Sequence, residues 1–475
     1  MGMKEANRFD TDYLIVGSGP GGDAVANRLG QLGAKAVVLV EQGQVGGTCV
    51  NWGCIPTHFL LENLLLRQQI SEVKERHGLF SGIPDVEFQT MKSGTKKVIE
   101  NLQLSIMQSF EKNGVEFIRG KAKIITPHRV EIARDDGTTI FKDPRTIIVA
   151  SGAPFTGLRV SGMESAREHL IRADRVMALD FEQIPDAIAV YGLDSPAVEL
   201  ASFFHFLGSE VVLLSPEASA ISYGSQDLRQ SVEDMLAFHD VDLYTDVELN
   251  RLAKVDDRLR VEFTEKGKDG NRLTCQYLVD AYARKANLEC IENLPIRLEG
   301  NRPSVSENFQ SSQENIYFLG DVRSGGAVPF RSHLATFSGR ILADRLMGHC
   351  DGCDLDMNLL LMGMVTIDFQ IAKIGLTEQE AISQGYEVKT LRTPNSHNAH
   401  AQILGKPGGY VLLVVESGTE KILGGEIVGA DAINLITVIG TAMACEGTIQ
   451  DLKKFPGFHP SLAEGILDSA WSEPF

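Results

Sequence analysis

Apolar residues fall along this chain in short unbroken runs, separated by longer stretches with helical spacing. Residues 13–16 are the first such run and predict a buried strand. Gly17-Ser18-Gly19-Pro20-Gly21-Gly22 follows, and residues 23–32 then carry apolar side chains at helical spacing. A second run at 36–40 ends on Glu41. Strand, glycine turn, helix, strand and terminal acid together predict a dinucleotide-binding βαβ unit. Gly17 permits the tight turn, Gly19 lets the backbone approach a pyrophosphate, and Gly22 lets the helix pack on the strand. The helix N-terminus offers free N–H groups to phosphate, and Glu41 offers acceptors to ribose hydroxyls.

The pattern continues with a helical, amphipathic stretch over 62–112, strands at 115–125, 129–134 and 146–150, and a break at Ser151-Gly152-Ala153-Pro154. A second βαβ unit has its strand at 187–191, its helix at 198–207 and its next strand at 210–214. Strands and a charge-rich loop lead on to residue 281. The run 316–319, Gly320-Asp321 and a helix over 333–347 read as a return to the first domain. Beyond residue 354, β-rich runs at 410–416 and 422–428 precede a long helix at 432–446. The expected fold is α/β, with two Rossmann-like dinucleotide-binding domains and a C-terminal α+β domain. The boundaries are 1–153 for the first domain, 154–281 for the second, 282–353 for the return segment and 354–475 for the third.

Composition narrows the function. The 475 residues suit several domains, and a net charge of −18 disfavours nucleic acid or an anionic membrane as partner. Residues 1–12 are polar with no apolar signal core, and no apolar run has the length of a membrane span, so a cytoplasmic protein is expected. The seven cysteines do not suggest a secreted disulfide scaffold. Cys275, Cys290 and Cys445 read as small buried hydrophobes. Cys350 and Cys353 form a C-x-x-C with no second pair, which reads as an interdomain loop before a redox relay or a metal clip.

Gly46-Gly47-Thr48-Cys49-Val50-Asn51-Trp52-Gly53-Cys54-Ile55-Pro56 carries the chemistry. Its two cysteines lie five apart where glycines open a helix, and a distorted first turn brings such a pair within disulfide reach. The helix N-terminus also favours thiolate. Two inert buried thiols, or a metal site lacking its other ligands, leave the preceding glycines unexplained.

On these motifs, with Ala150-Ser151-Gly152, Gly320-Asp321 and His459-Pro460-Ser461-Leu462-Ala463-Glu464, nearly the whole chain resembles the flavoprotein disulfide reductases, and most closely the dihydrolipoamide dehydrogenases. The resemblance implies an FAD-type first domain, an NAD-type second domain and a dimerisation domain at the C-terminus. It implies an FAD site at Gly17, Gly19, Gly22, Glu41, Gly47, Thr48, Ser151, Gly152, Gly320 and Asp321, with Asp321 on the ribityl chain. Cys49 is then the interchange thiol and Cys54 the thiol against the flavin. His459 is the base and Glu464 its orienting carboxylate, both reaching over from the other subunit of a homodimer with shared active sites. The substrate is a small or protein-bound dithiol or disulfide. A thiol oxidase and a catalytically idle flavin-binding subunit are the alternatives.

The second unit departs from the pattern. Its turn reads Gly192-Leu193-Asp194-Ser195-Pro196-Ala197, so only Gly192 survives of the glycine pattern: Asp194 puts bulk and negative charge where a pyrophosphate approaches, while Ala197 is tolerable at the third site. Pro196 removes an N–H, and the next strand ends without an acid for a ribose. Thr57-His58 replaces the family's Ser-Lys, and the Glu that pairs with that Lys is matched by Glu199, which predicts a flavin-proximal His58–Glu199 pair. Two readings follow for NAD(P): use of it is lost, or it binds in a modified way.

Overall fold

The apolar runs become the central strands of two separate parallel sheets. The computed structural model describes residues 9–176, 183–282, 284–292, 294–324, 329–350 and 355–473. The first sheet has seven strands, ordered Ile316–Phe318, Pro144–Val149, Thr11–Val16, Val37–Glu41, Val115–Thr126, Arg129–Arg134 and Thr139–Lys142. Its first five strands are parallel, and the last two join as antiparallel hairpins. Leu14 stands opposite Val38 on one side and Ile147 on the other, and all three are buried. Each such side chain contributes roughly 1.5–3 kcal/mol by leaving water.

Helix Pro20–Gln31 packs against helix Ser332–Leu346. A Cβ on Gly339 would lie 2.6 Å from the Gly21 carbonyl oxygen, so the two backbones touch. The chain therefore leaves the first layer, builds another sheet and comes back to complete the first.

The second sheet is wholly parallel, in the order Asp242–Tyr244, Glu210–Leu214, Ala187–Gly192, Tyr277–Ala281 and Leu170–Arg172. Its strand order reverses around Ala187–Gly192, which makes the carboxyl ends there the natural ligand crevice. An antiparallel meander, Val247–Val255, Arg258–Glu265 and Lys268–Cys275, packs beside it. The C-terminal unit is a five-stranded antiparallel sheet covered by helix Ala432–Ala444, with Ile436 and Ile439 in its core. No helix among the described residues is long and apolar enough to cross a membrane.

Three local expectations change. The amphipathic stretch 62–112 is two helices, Cys54–His77 and Phe88–Lys112, because Gly78 at φ +64° ends the first as a left-handed cap. A helix, Gln226–Phe238, stands where strands and loop were expected; Ser225 caps it by accepting from the Leu228 amide, and Leu228, Val232, Met235 and Leu236 form its buried stripe. Cys275 and Cys290 are buried as expected, but Cys445 is exposed, because it caps a helix that ends at the surface. Cys353 of the C-x-x-C pair lies outside the described residues.

Candidate active site

The first glycine turn is closed around backbone, not around side chains. A Cβ on Gly17 would meet the Ala150 carbonyl oxygen at 2.4 Å, and one on Gly22 would meet the Gly17 carbonyl oxygen at 1.9 Å. A Cβ on Gly19 would meet nothing within 4 Å, because that position faces open space. Glu41 fixes the turn: its Oε2 accepts from the Ser18 amide and hydroxyl, both at 2.8 Å, and its Oε1 accepts from the Gly43 amide at 2.6 Å. The turn and Glu41 border a cavity of about 590 Å³ that also reaches Gly47, Thr48, Ser151, Gly152, Gly320 and Asp321. The FAD-site residues expected from the sequence thus come together, all but Gly22, which packs beneath the turn.

Cys49 and Cys54 enter the same cavity from two successive helices. Cys49 sits in the short helix Gly47–Asn51, whose cap Gly46 has φ +95°. Gly47, at φ +60°, approaches so closely that its Cβ would lie 2.7 Å from the Gly19 Cα. Trp52 and Gly53 break the backbone, and Cys54 opens helix Cys54–His77. Asn51, which sequence reasoning passed over, staples this loop: its amide donates to the Val45 and Gly47 carbonyls and its Oδ1 accepts from Gln103. A buried Asn inside a polar stretch gives no sequence signal of that task.

Both cysteines are free thiols, their sulfurs within hydrogen-bonding reach of each other. That contact divides them. The Cys49 hydrogen bond, with help from Ser332, holds the Cys54 thiol down at about 6, while the bond to Cys54, and then burial, pushes Cys49 up. Ser332 Oγ lies 3.2 Å from Cys54 Sγ, a contact that sequence reasoning missed, since nothing near residue 332 marks it.

Glu199 lines the cavity, but its Oε1 accepts from the Val365 amide at 3.1 Å. The expected His58–Glu199 pair is not formed: no hydrogen bond or ion pair joins them among the described residues. His58 instead lies one turn from Glu62 on its own helix, and burial lowers its ring while Glu62 raises it. Burial pushes the Glu199 carboxyl up to about 8, and the cation that acts on it is Arg331, which also lines the cavity. Asp321 Oδ2 accepts from Arg284 Nη2 at 2.8 Å, and Arg284 is held by the Ala153 carbonyl and lies over the Phe330 ring. Ala283, beside it, lies outside the described residues. Gly320 has φ +72°, and Ser151 Oγ donates to the Asn287 carbonyl at 2.6 Å.

The second turn is occupied by its own side chains. Asp194 keeps the left-handed backbone that a glycine would supply, at φ +62°. Its carboxylate accepts from the Ser222 amide at 2.7 Å and from the Ser222 hydroxyl at 2.9 Å. Gly192 is required by packing, since a Cβ there would meet the Ala197 Cβ at 2.8 Å and the Ala281 Cβ at 2.9 Å. Ala197 is fully buried and takes the helix-packing place. Pro196 is the third residue of helix Asp194–Phe206, where it breaks no intrahelical bond but withdraws one N–H from the helix mouth. At the strand ends Tyr191 and Tyr282 meet edge to face at 5.7 Å, and burial, then the Glu217 carboxylate, pushes the Tyr282 phenol up.

His459 and Glu464 lie apart from the cavity within one chain. His459 Nδ1 is 2.9 Å from Glu464 Oε1, and Glu464 Oε2 accepts from the Ser461 amide at 2.8 Å. The Ser461 bond, then the histidine, hold Glu464 below the ordinary carboxylate range. The His459 side chain is 72% exposed, beside the exposed Phe455 and Phe458. Among the described residues no group of three His, Cys, Asp or Glu is arranged to hold a metal ion.

Residues 11–339 match the profile of the pyridine nucleotide-disulphide oxidoreductases, and residues 362–470 match the dimerisation domain of the same family. The dihydrolipoyl dehydrogenase of Geobacillus stearothermophilus is 25% identical, covering 97% of this chain and 96% of its own length. The dihydrolipoyl dehydrogenase of Zymomonas mobilis is 27% identical, covering 96% and 97%. Among solved structures, LpdA from Mycobacterium tuberculosis superposes with a TM-score of 0.87 at 21% identity, over 97% of this chain and 99% of that one. The HOCl-induced flavoprotein disulfide reductase RclA from Escherichia coli, solved as a Cu(II) complex, gives 0.84 at 20% identity, over 98% and 99%. Identity this low carries the fold alone.

Proposed function

The chain belongs to the pyridine nucleotide-disulphide oxidoreductase family, and on that premise we propose that Cys49 and Cys54 are its working pair. It is an FAD-dependent dithiol–disulfide oxidoreductase of the dihydrolipoamide dehydrogenase type, with the family's dimerisation domain at its C-terminus. Neither a thiol oxidase nor an idle subunit is favoured. The observation that carries the assignment of the pair is its place in the glycine cavity, one thiol lowered and the other raised.

The fit to FAD rests on the cradle. Gly19 leaves room for a pyrophosphate, Gly47 can approach only because it lacks a Cβ, and Asp321 keeps its Oδ1 for a polyol while Arg284 holds its Oδ2. When bound, the flavin supplies a two-electron donor or acceptor beside the thiols. Cys54, the thiol held low by its neighbours, faces that side. Cys49 needs a base before it attacks a substrate disulfide. His459, oriented by Glu464, is that base and comes from the partner subunit; its exposure and its distance from the cavity support this. We infer domain boundaries at 1–153 with 282–353 for FAD, 154–281 for the second unit and 354–475 for the interface. The substrate is a small or protein-bound dithiol or disulfide.

A second reading concerns the electron partner. The Asp194–Ser222 contact supports loss of the ordinary nicotinamide mode, so that NADH and NADPH reduce the enzyme poorly. Anaerobic titration with dihydrolipoamide tests the core proposal: two electrons per chain and a long-wavelength thiolate band are expected. Without either for any dithiol, it falls.

A further inference from the structure

Ser332 is the first residue of helix Ser332–Leu346, and its side chain does not cap that helix. Its hydroxyl oxygen lies 3.2 Å from Cys54 Sγ instead. Cys54 is itself the first residue of helix Cys54–His77. The sulfur thus meets a hydroxyl from one helix start while standing at another, in a half-buried position inside the cavity.

We propose that Ser332 is a further catalytic residue, whose hydroxyl donates to the Cys54 thiolate and so sets how readily the Cys49–Cys54 pair is reduced. The inference rests on the reading of Cys49 and Cys54 as the working pair and deepens it.

The donor direction follows from charge. A hydroxyl can donate or accept, but a thiolate only accepts. In the reduced pair the Cys54 sulfur then has two donors, the Cys49 S–H and the Ser332 O–H. Both favour the charged form, which agrees with the low Cys54 thiol. The contact outlasts the exchange in a way that the cysteine bond cannot. When the pair oxidises, the S–S bond replaces the Cys49 hydrogen bond, and Ser332 stays fixed by its helix. On reduction the hydroxyl is already in place for the emerging charge, so nothing has to reorganise.

Two consequences have a fixed sign. Removing the hydroxyl raises the Cys54 pKa, because the charged form loses a donor. It also makes the pair harder to reduce, because the thiolate belongs to the reduced state. A hydrogen bond to a charged group is worth enough to move a pKa by about one unit. The dithiol-to-disulfide ratio in a fixed thiol buffer at pH 8 then falls by up to about tenfold.

The test uses the flavin-loaded protein and four forms: wild type, Ser332→Ala, Ser332→Val and Ser332→Thr. The reduced forms are alkylated with iodoacetamide across pH 5 to 9, and peptide mass spectrometry follows label on Cys54. Redox equilibrium is measured against dithiothreitol buffers. Val and Thr share a shape and differ in the hydroxyl, so packing and chemistry separate even if Ala perturbs folding. Higher Cys54 pKa and a lower dithiol ratio in Ala and Val, with Thr near wild type, is the expected result. Equal behaviour of Val and Thr, or no change in Ala, overturns the role of Ser332. A wild-type pair that never forms a disulfide overturns the reading of the pair itself, and the inference with it.

Discussion

The Asp194 carboxylate closes on Ser222, taking its amide at 2.7 Å and its hydroxyl at 2.9 Å, at the point where a dinucleotide turn ordinarily presents glycine. A pyrophosphate arriving there meets a fixed negative charge and a helix mouth short of one N–H. Asp194→Gly keeps the left-handed backbone and removes the charge. Flavin reduction by NADH in anaerobic stopped flow is expected to be slow in the wild type and at least about tenfold faster in the variant, the equivalent of about 1.4 kcal/mol. Fast reduction of the wild type at micromolar NADH or NADPH would falsify this account of the turn.

Gly192 survives in that turn for a different reason. Its missing Cβ is the space occupied by Ala197 and Ala281. Gly192→Ala is expected to destabilise the second sheet by about 1–3 kcal/mol through overpacking. Chemical denaturation measures it. An unchanged midpoint shows that the helix can shift.

The Glu199 carboxyl, pushed up to about 8 by burial, makes stability depend on pH. Its folded pKa lies above the unfolded value of 4.5, so its contribution is complete below 4.5 and is lost as pH rises through about 8. The slope approaches about 1.4 kcal/mol per pH unit within that window. The thermal midpoint of the wild type should therefore fall between pH 5 and 8 relative to Glu199→Gln. Parallel curves for the two proteins refute the buried acid.

His459 and Cys49 are expected to act from different chains. Cys49→Ser and His459→Ala homodimers should each lose dithiol exchange, the second by roughly 10²–10⁴-fold. When the two are unfolded together and refolded as a mixture, heterodimers hold one competent site each, and activity returns. No recovery in verified heterodimers places base and thiol in the same chain.

Much of this was legible in the sequence because the chemistry there is local. The strand–glycine–helix–acid pattern at 13–41 needs only neighbours in the chain, and it appears as read. The Cys49/Cys54 spacing is local too. What escaped was set by distant contacts. The helix Gln226–Phe238 had its Ser225 cap and its stripe in plain view, but charged residues between them resembled a loop. His58 and Glu199 were paired by analogy, yet a Val365 amide from another domain claims the carboxylate. Ser332 reaches Cys54 across 278 positions, a distance over which no periodicity speaks.

If His459 is the base for the partner subunit's thiol, as proposed, its exposed position ties catalysis to mass action. A chain alone would keep its glycine cradle, its thiol pair and therefore its colour, with the proposed base out of reach of its own cavity. On dilution below the dimer dissociation constant, absorbance per chain should hold steady as turnover per chain declines. The enzyme would then count its own copies, working in proportion to the encounters that hand each subunit the other's imidazole.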